Sequence, residues 1–398
     1  MSKNLFNDNW QFSLKELGQS LSDMENETEW HDTEIPHDWL IGNPYHFYDS
    51  GEGWYKKKFN LDCVDQNKSY IICFDGVYMN STVYVNGNEA GTWRYGYSSF
   101  SYDITDYVKA GENIIYVQVR HETPNTRWYS GAGIYRNVYL RVTDRVHVTE
   151  NGVYISSKKE NDKWLVSVET ETTSDNCTVR HTILTQNGAK AAVISGKPEN
   201  NKSVLKFYAE KPNIWDIENP YCYIMKTELL VDNEVVDEVS DVFGFRSIEF
   251  NPDNGFLLNE RKLKIHGVCM HHDLGALGAA VNKAALRRQL EILKSFGVNS
   301  VRTSHNMPAR ELIELCNEMG LLVNCESFDM WELPKNTNDY ARFFPEWYET
   351  DVKAWIERDR NAPCVIMWSI GNEILDTHKS ERGLEVAKML CEAVRKYD

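Results

Sequence analysis

Two β-sandwiches followed by the first half of an eightfold β/α barrel are what this sequence predicts, on three observations. Short alternating strands separated by turn residues occupy residues 1–145, with no amphipathic helix among them. Residues 146–246 repeat that signature with about seven strands in about 100 residues, the size of an immunoglobulin-like sandwich. From 247 to 398 the pattern changes to strand and helix in alternation, four times over, which requires a parallel sheet. A chain of 398 residues is too long for one core, which also favours several domains.

In the first block Ser81–Val85 alternates and runs into Asn86-Gly87, a pair suited to a tight hairpin. Asn113–Val119 follows Gly111, and Val138–Val142 closes the block. In the second, Trp164–Val168, Thr178–Leu184 and Ser203–Phe207 alternate; no Cys…Trp…Cys spacing marks a disulfide-bearing version. In the third, Leu263–Met270 reads as a strand and Lys283–Phe296 as a helix with Leu286, Leu290 and Leu293 on one face. Val298–Thr303 is the second strand. Arg310–Met319 is a helix carrying Leu312, Leu315, Cys316 and Met319 inward and stopped by Gly320. Leu321–Cys325 is the third strand, a helix spans about Trp347–Arg358, and Cys364–Ile370 is the fourth strand. The last helix starts from an N-cap at Ser380, with Leu384, Ala387, Cys391 and Val394 in register. A full barrel takes about 250 residues, so residues 247–398 reach four of its eight units.

Composition narrows the function. A formal net charge of -16 without a basic patch argues against nucleic acid and anionic lipid surfaces as partners. No run of about 18 apolar residues occurs, so no membrane span is expected, and with no apolar run behind Met1-Ser2-Lys3-Asn4 no signal peptide is expected. Nine cysteines without a CxxC pair read as buried thiols in a reducing compartment, and the cytoplasm is the expected location. Aromatic residues make up 12%, with 12 Trp and 21 Tyr, as core in sheets or as platforms for pyranose rings.

In a barrel the reactive groups gather at the C-terminal ends of the strands. Those ends carry His271-His272-Asp273, Arg302 to Asn306, Glu326 with Asp329, and Asn372-Glu373. Along the fourth strand Val365, Met367, Ser369, Gly371 and Glu373 share one face by the period of two. With the small Ser369 and Gly371 toward the axis, Glu373 projects into the barrel mouth. Position alone leaves two readings of Glu373: a carboxylate near the amides of the next helix, or a general acid. The apolar strand and Trp368 before it favour the second, because desolvation raises a carboxyl pKa into the range a general acid needs.

Arg358–Glu373 resembles the acid/base signature of glycoside hydrolase family 2, and Asn299–His305 with Leu315–Glu326 resembles the family's other signature. Trp128–Arg136 and Pro36–Trp39 resemble motifs of its sugar-binding domain, and Phe243–Arg246 its junction into the barrel. These motifs fall in family order along the whole chain. The resemblance implies a jelly-roll sandwich, an immunoglobulin-like sandwich and a (β/α)8 TIM barrel. Two departures weaken substrate assignment: Ala362 stands where the signature carries His, Arg or Tyr, and Asn306-Met307-Pro308 replaces Tyr-Pro.

Carried over by position, Glu373 is the acid/base and Asn372 hydrogen-bonds the sugar 2-hydroxyl. His271 and His305 contact other hydroxyls of the terminal sugar, with satisfied structural histidines as the alternative. Asp49, Arg127 and Trp128 reach the site from the first sandwich. Asp329 matches a carboxylate that binds magnesium in some β-galactosidases of the family, but Trp331 stands where its histidine partner is expected. No metal ligand is therefore assigned and no cofactor is required; Mg2+ and Na+ are the ions the resemblance leaves open. The nucleophile of the family is a Glu on the seventh strand, so this chain is expected to hold the donor half of the machinery and to be inactive alone. The implied function is a retaining exo-β-glycosidase on carbohydrate, most like β-galactosidase, with β-glucuronidase as the alternative and a homo-oligomer expected. Two other classes stand beside it: a non-catalytic carbohydrate-binding fragment, and a metal-dependent hydrolase built on His271, His272 and Asp273.

Overall fold

The computed structural model describes residues 2–378 and 381–398. Two sheets face each other in the first unit. One has six strands, in the order His31–Thr33, Trp10–Lys15, Gly51–Leu61, Gly111–His121, Ser81–Val85 and Asn88–Trp93; the other has four, Ser2–Leu5, Val138–Asp144, Lys68–Phe74 and Phe100–Asp103. Between them lie Trp10, Tyr55, Val83 and Val117 from one sheet and Tyr70, Ile72, Phe74 and Leu140 from the other, all buried. The hairpin at Asn86-Gly87 forms as its residues demand: φ is 49° at Asn86 and 84° at Gly87, the positive pair that a tight two-residue turn needs.

The second unit packs three strands (Val148–Glu160, Lys163–Thr172, Lys202–Glu210) on four (Lys190–Gly196, Thr178–Leu184, Tyr223–Val231, Glu234–Phe243), the seven expected. Its core joins Val166 and Val168 to Val179, Met225 and Leu229, and all nine cysteines of the chain are free.

A small antiparallel sheet, Ile248–Asn251 with Gly255–Leu258 and Arg261–Lys262, precedes the parallel one and was not expected. The parallel sheet itself has strands β1 (Gly267–Met270), β2 (Ser300–Thr303), β3 (Leu322–Glu326) and β4 (Val365–Ser369) in sequential order. They alternate with α1 (Lys283–Ser295), α2 (Arg310–Met319), α3 (Phe344–Asp359) and α4 (Glu381–Tyr397). The first strand is shorter than expected, because Leu263–His266 is not in the ladder. The Asn299 side chain accepts from the His266 amide at 2.8 Å and donates to the Lys264 carbonyl at 2.9 Å, satisfying backbone groups that a strand would have paired. Gly320 ends α2 at φ 67°, as expected of a left-handed stop.

The register expected for α4 is corrected. Its proposed cap, Ser380, lies outside the described residues. Within the helix the inward face is Gly383, Val386, Leu390, Ala393 and Val394, and Leu384 is 60% exposed. The reason is a close approach: a Cβ on Gly383 would lie 2.1 Å from the Asp376 carbonyl oxygen, so that glycine must face the preceding segment and the helix is turned accordingly.

Loops of the first sandwich lie across the C-terminal ends of the parallel strands. Tyr95 packs on Phe328 and Tyr340 at 5.3 and 4.4 Å between ring centroids. Arg136, fully buried, donates to the Tyr97 and Met307 carbonyls at 2.8 and 2.9 Å. The Asp38 carboxylate accepts from the amides of Leu40, Ala132 and Ala279 and from the Tyr129 hydroxyl, tying two sandwich loops to the loop after β1. Trp215 of the second sandwich donates to the Asn317 carbonyl of α2 at 3.0 Å.

One interdomain contact carries a pH dependence. Asp351 of α3 is fully buried with no cation beside it among the described residues, accepting from the Ser98 and Tyr340 hydroxyls. Burial raises its pKa to about 7, against the downward pull of those hydrogen bonds. The folded chain thus keeps a proton that the unfolded chain releases, and stability falls as pH rises between about 4 and 7, by at most ~1.4 kcal/mol per pH unit. Asp351→Asn is expected to remove that slope. Urea unfolding of both proteins across this range checks it; parallel curves would reject the assignment.

Candidate active site

The ends of β2, β3 and β4 converge on one buried carboxylate. Glu326, the last residue of β3, accepts from Arg302 Nε at 2.9 Å, from Ser369 Oγ at 2.7 Å and from His305 Nδ1 at 2.7 Å, while its amide donates to Thr303 Oγ1 at 2.8 Å. Both oxygens are occupied, so Glu326 orients its neighbours rather than reacting. Arg302 also donates through Nη2 to Asn372 Oδ1 at 2.9 Å, and Asn372 Nδ2 donates to Asp329 Oδ1 at 2.8 Å. A guanidinium offers only donors and a carboxylate only acceptors, so just one orientation of the Asn372 amide satisfies both.

Asp329 is the second hub. Its side chain, 1% exposed, receives Arg127 bidentately at 2.8 Å (Nε) and 2.6 Å (Nη2), Lys335 Nζ at 2.9 Å and Asn372. Burial pulls its pKa up, but the hydrogen bonds from Arg127, Asn372 and Lys335 outweigh it and hold the carboxyl below its usual range. Phe328, at φ 61°, turns the chain so that its ring stacks on Tyr340 while Asp329 faces Arg127.

Glu373 stands differently from expectation on two counts. The strand ends at Ser369 and Glu373 has φ 45°, so the period of two does not extend to it and a turn places it. Its side chain is 68% exposed and meets Arg127 Nη1 at 2.8 Å. That hydrogen bond and charge lower its pKa, where desolvation by the apolar strand was expected to raise it. Of the apolar residues on β4, Val365 and Ile366 are buried in the core, Trp368 packs on Trp355 and Met367 is exposed, and the carboxylate stays in solvent.

Trp128 spans the two histidines: its ring centroid is 5.2 Å from His271 and 5.7 Å from His305, and the histidines are 5.4 Å apart. Half-burial, then the neighbouring His305, lowers the pKa of His271. His272 points the other way, donating through Nε2 to the Ser130 carbonyl at 3.0 Å, and burial lowers its pKa to about 4. His271, His272 and Asp273 therefore do not converge, and no cluster of metal-ligating residues occurs among the described residues.

Asp49 is not brought to this group: its carboxylate pairs with His46 and its carbonyl accepts from His121, on an exposed stretch of the sandwich. Nor do the donors at Asp329 fit Mg2+ or Na+. Two cationic side chains already fill its oxygens, and the buried Trp331 beside it gives its N–H to the Ile370 carbonyl at 2.9 Å. The expectation missed Lys335 and gave no role to Arg302 and Glu326, which it had placed at the strand ends. The last two stand at strand ends, a legible signal; Lys335 sits in an irregular loop and carries none.

Comparison with known proteins agrees along the chain. The profile of the family-2 glycosyl hydrolase sugar-binding domain matches residues 33–144, that of Glycosyl hydrolases family 2 residues 146–246, and that of the family's TIM barrel domain residues 251–398. A β-galactosidase of Bacteroides ovatus is 43% identical over 93% of this chain and 46% of its own length. A β-glucuronidase of Bacteroides fragilis is 26% identical over 93% of this chain and 56% of its own. The crystal structure of a glycosyl hydrolase family 2 member from Bacteroides cellulosilyticus superposes on all of this chain and 55% of that one, with 33% identity and a TM-score of 0.93. The chain thus spans about half the length of the relatives it matches.

Proposed function

The chain belongs to glycosyl hydrolase family 2, and from that premise we propose that it supplies the acid/base half of a retaining exo-β-glycosidase most like a β-galactosidase. The observation that carries the reading is Glu373, an accessible carboxylate at the ends of the parallel strands beside Asn372, whose amide is locked. In a retaining mechanism Glu373 protonates the departing glycosidic oxygen, then takes a proton from the water that releases the sugar. Asn372 keeps one amide hydrogen for the sugar 2-hydroxyl. His271, His305 and Trp128 form the adjoining wall. The nucleophile, in this reading, comes from a barrel strand beyond the four described.

A β-glucuronidase would need cationic groups for the uronate, and in this reading those come from the strands beyond the four described. Arg127, Lys335 and Arg302 are matched by Asp329, Glu373 and Glu326, so among the described residues no site cation is left for a sugar carboxylate. We extend the proposal to a barrel of which β1–β4 are the first four strands, with the edges of β1 and β4 paired by the strands that supply the nucleophile. The free cysteines support a cytoplasmic location.

A polypeptide of these 398 residues is expected to leave nitrophenyl β-galactoside intact, and a protein joining it to a complete barrel to prefer that substrate over the β-glucuronide. Steady-state assays of both proteins on both substrates decide. Turnover by the shorter polypeptide that Glu373→Gln abolishes would overturn the two-part mechanism, and preference for the glucuronide would overturn the sugar assignment.

A further inference from the structure

We propose that Arg127 is a positioning residue that the first sandwich lends to the barrel: seated on Asp329, it holds Glu373 as a carboxylate in the substrate-free protein and releases it when a glycosidic oxygen arrives. The bridge is asymmetric. Toward Asp329 it is bidentate, at 2.6 and 2.8 Å, on a carboxylate whose side chain is 1% exposed and is bonded as well by Lys335 and Asn372. Toward Glu373 it is a single bond of 2.8 Å to a side chain 68% exposed. Water and substrate compete for the second end and not for the first, so the bridge opens at Glu373.

Among the described residues the charged groups facing Glu373 are Arg127 from the sandwich loop and Lys335 and Asp329 from the segment after β3. Lys335 is committed to Asp329 and the Asn372 carbonyl, at 2.9 and 2.8 Å, so Arg127 is the cation whose contact changes when Glu373 turns. Freed from the guanidinium, Glu373 takes a proton from solvent and passes it to the leaving oxygen as the anomeric carbon exchanges that oxygen for the nucleophile. As a carboxylate again, it accepts the proton of the water whose oxygen displaces the nucleophile from that carbon, then gives the proton to solvent and returns to Arg127. This sequence rests on reading Glu373 as the acid/base; the holding by Arg127 does not.

Carbon-13 NMR of the 398-residue chain, with glutamate labelled at Cδ and the Glu373 signal identified by its loss in Glu373→Gln, tests the holding. The Glu373 titration midpoint is expected to move upward in Arg127→Gln. A second measurement needs no change at Arg127: in nitrogen-15 spectra of arginine side chains, Glu373→Gln, an exposed substitution, is expected to shift the Arg127 Nη1 resonance and spare Nε. An unmoved Glu373 midpoint, or an unmoved Nη1 resonance, overturns the proposal. If both move while Glu373→Ala in the complete enzyme slows all leaving groups equally, the holding stands and the acid/base reading falls.

Discussion

Glu373→Ala, in a protein joining this chain to a complete barrel, is expected to slow cleavage of unactivated β-glycosides by about 10²–10⁴-fold, the usual contribution of a general acid. Substrates with acidic leaving groups should lose far less in the first step, because a stable phenolate departs without a proton. Their turnover then stalls at the glycosyl-enzyme, where no base activates water, and added azide should restore it by attacking the intermediate directly. Among the described residues Glu373 pairs with Arg127 alone and is largely exposed, so its removal leaves the fold intact and the rate change reports chemistry. A leaving-group series with and without azide is the measurement. Equal losses across the series, with no azide effect, would remove Glu373 from the acid/base role.

Asp329→Ala is expected to cost about 3–5 kcal/mol of stability, the range for breaking a buried ion pair by removing one partner. Arg127, more than a third exposed, recovers much of its hydration when released and contributes little to that figure. Lys335 does not: its side chain is 7% exposed, and without Asp329 its ammonium keeps, among the described residues, the Asn372 carbonyl alone. The Asn372 amide also loses its acceptor, and with it the orientation that Arg302 and Asp329 together impose. Asp329→Asn, which keeps the volume and one acceptor oxygen, should fall between the two. Because the native carboxyl is held below its usual range, its stabilisation is present above about pH 4 and lost as pH falls through the depressed folded value. Urea unfolding at neutral and acidic pH checks both points; variants within about 1 kcal/mol of the native chain at neutral pH would show that Asp329 is not holding a buried charge.

Local chemistry made most of the elements legible. Arg310–Met319 is a helix because its apolar residues recur at helical spacing and Gly320 can adopt the left-handed stop. Asn86-Gly87 is a turn because both residues tolerate positive φ. Glu373 and Asn372 were legible because reactive residue types stand at a strand end that the alternation of strand and helix marks, whereas Arg127 and Trp128, in a loop of the first sandwich, came only from the family resemblance.

Tertiary packing decided the rest. Spacing reports which residues share a face, not which face meets another domain, so α4 turned on the close approach at Gly383 rather than on its most apolar stripe. Spacing likewise is silent about charges from distant segments. Arg127 lies 202 residues before Asp329 and 246 before Glu373 in sequence, yet it ties them together and reverses the pKa shift that the neighbourhood of Glu373 on β4 implied. By itself the sequence determined the periods, the stops and the residue types at the strand ends. Only the docking of the first sandwich onto those ends determined which charges meet, because Coulomb energy and hydrogen-bond geometry depend on distances through space that no local period encodes.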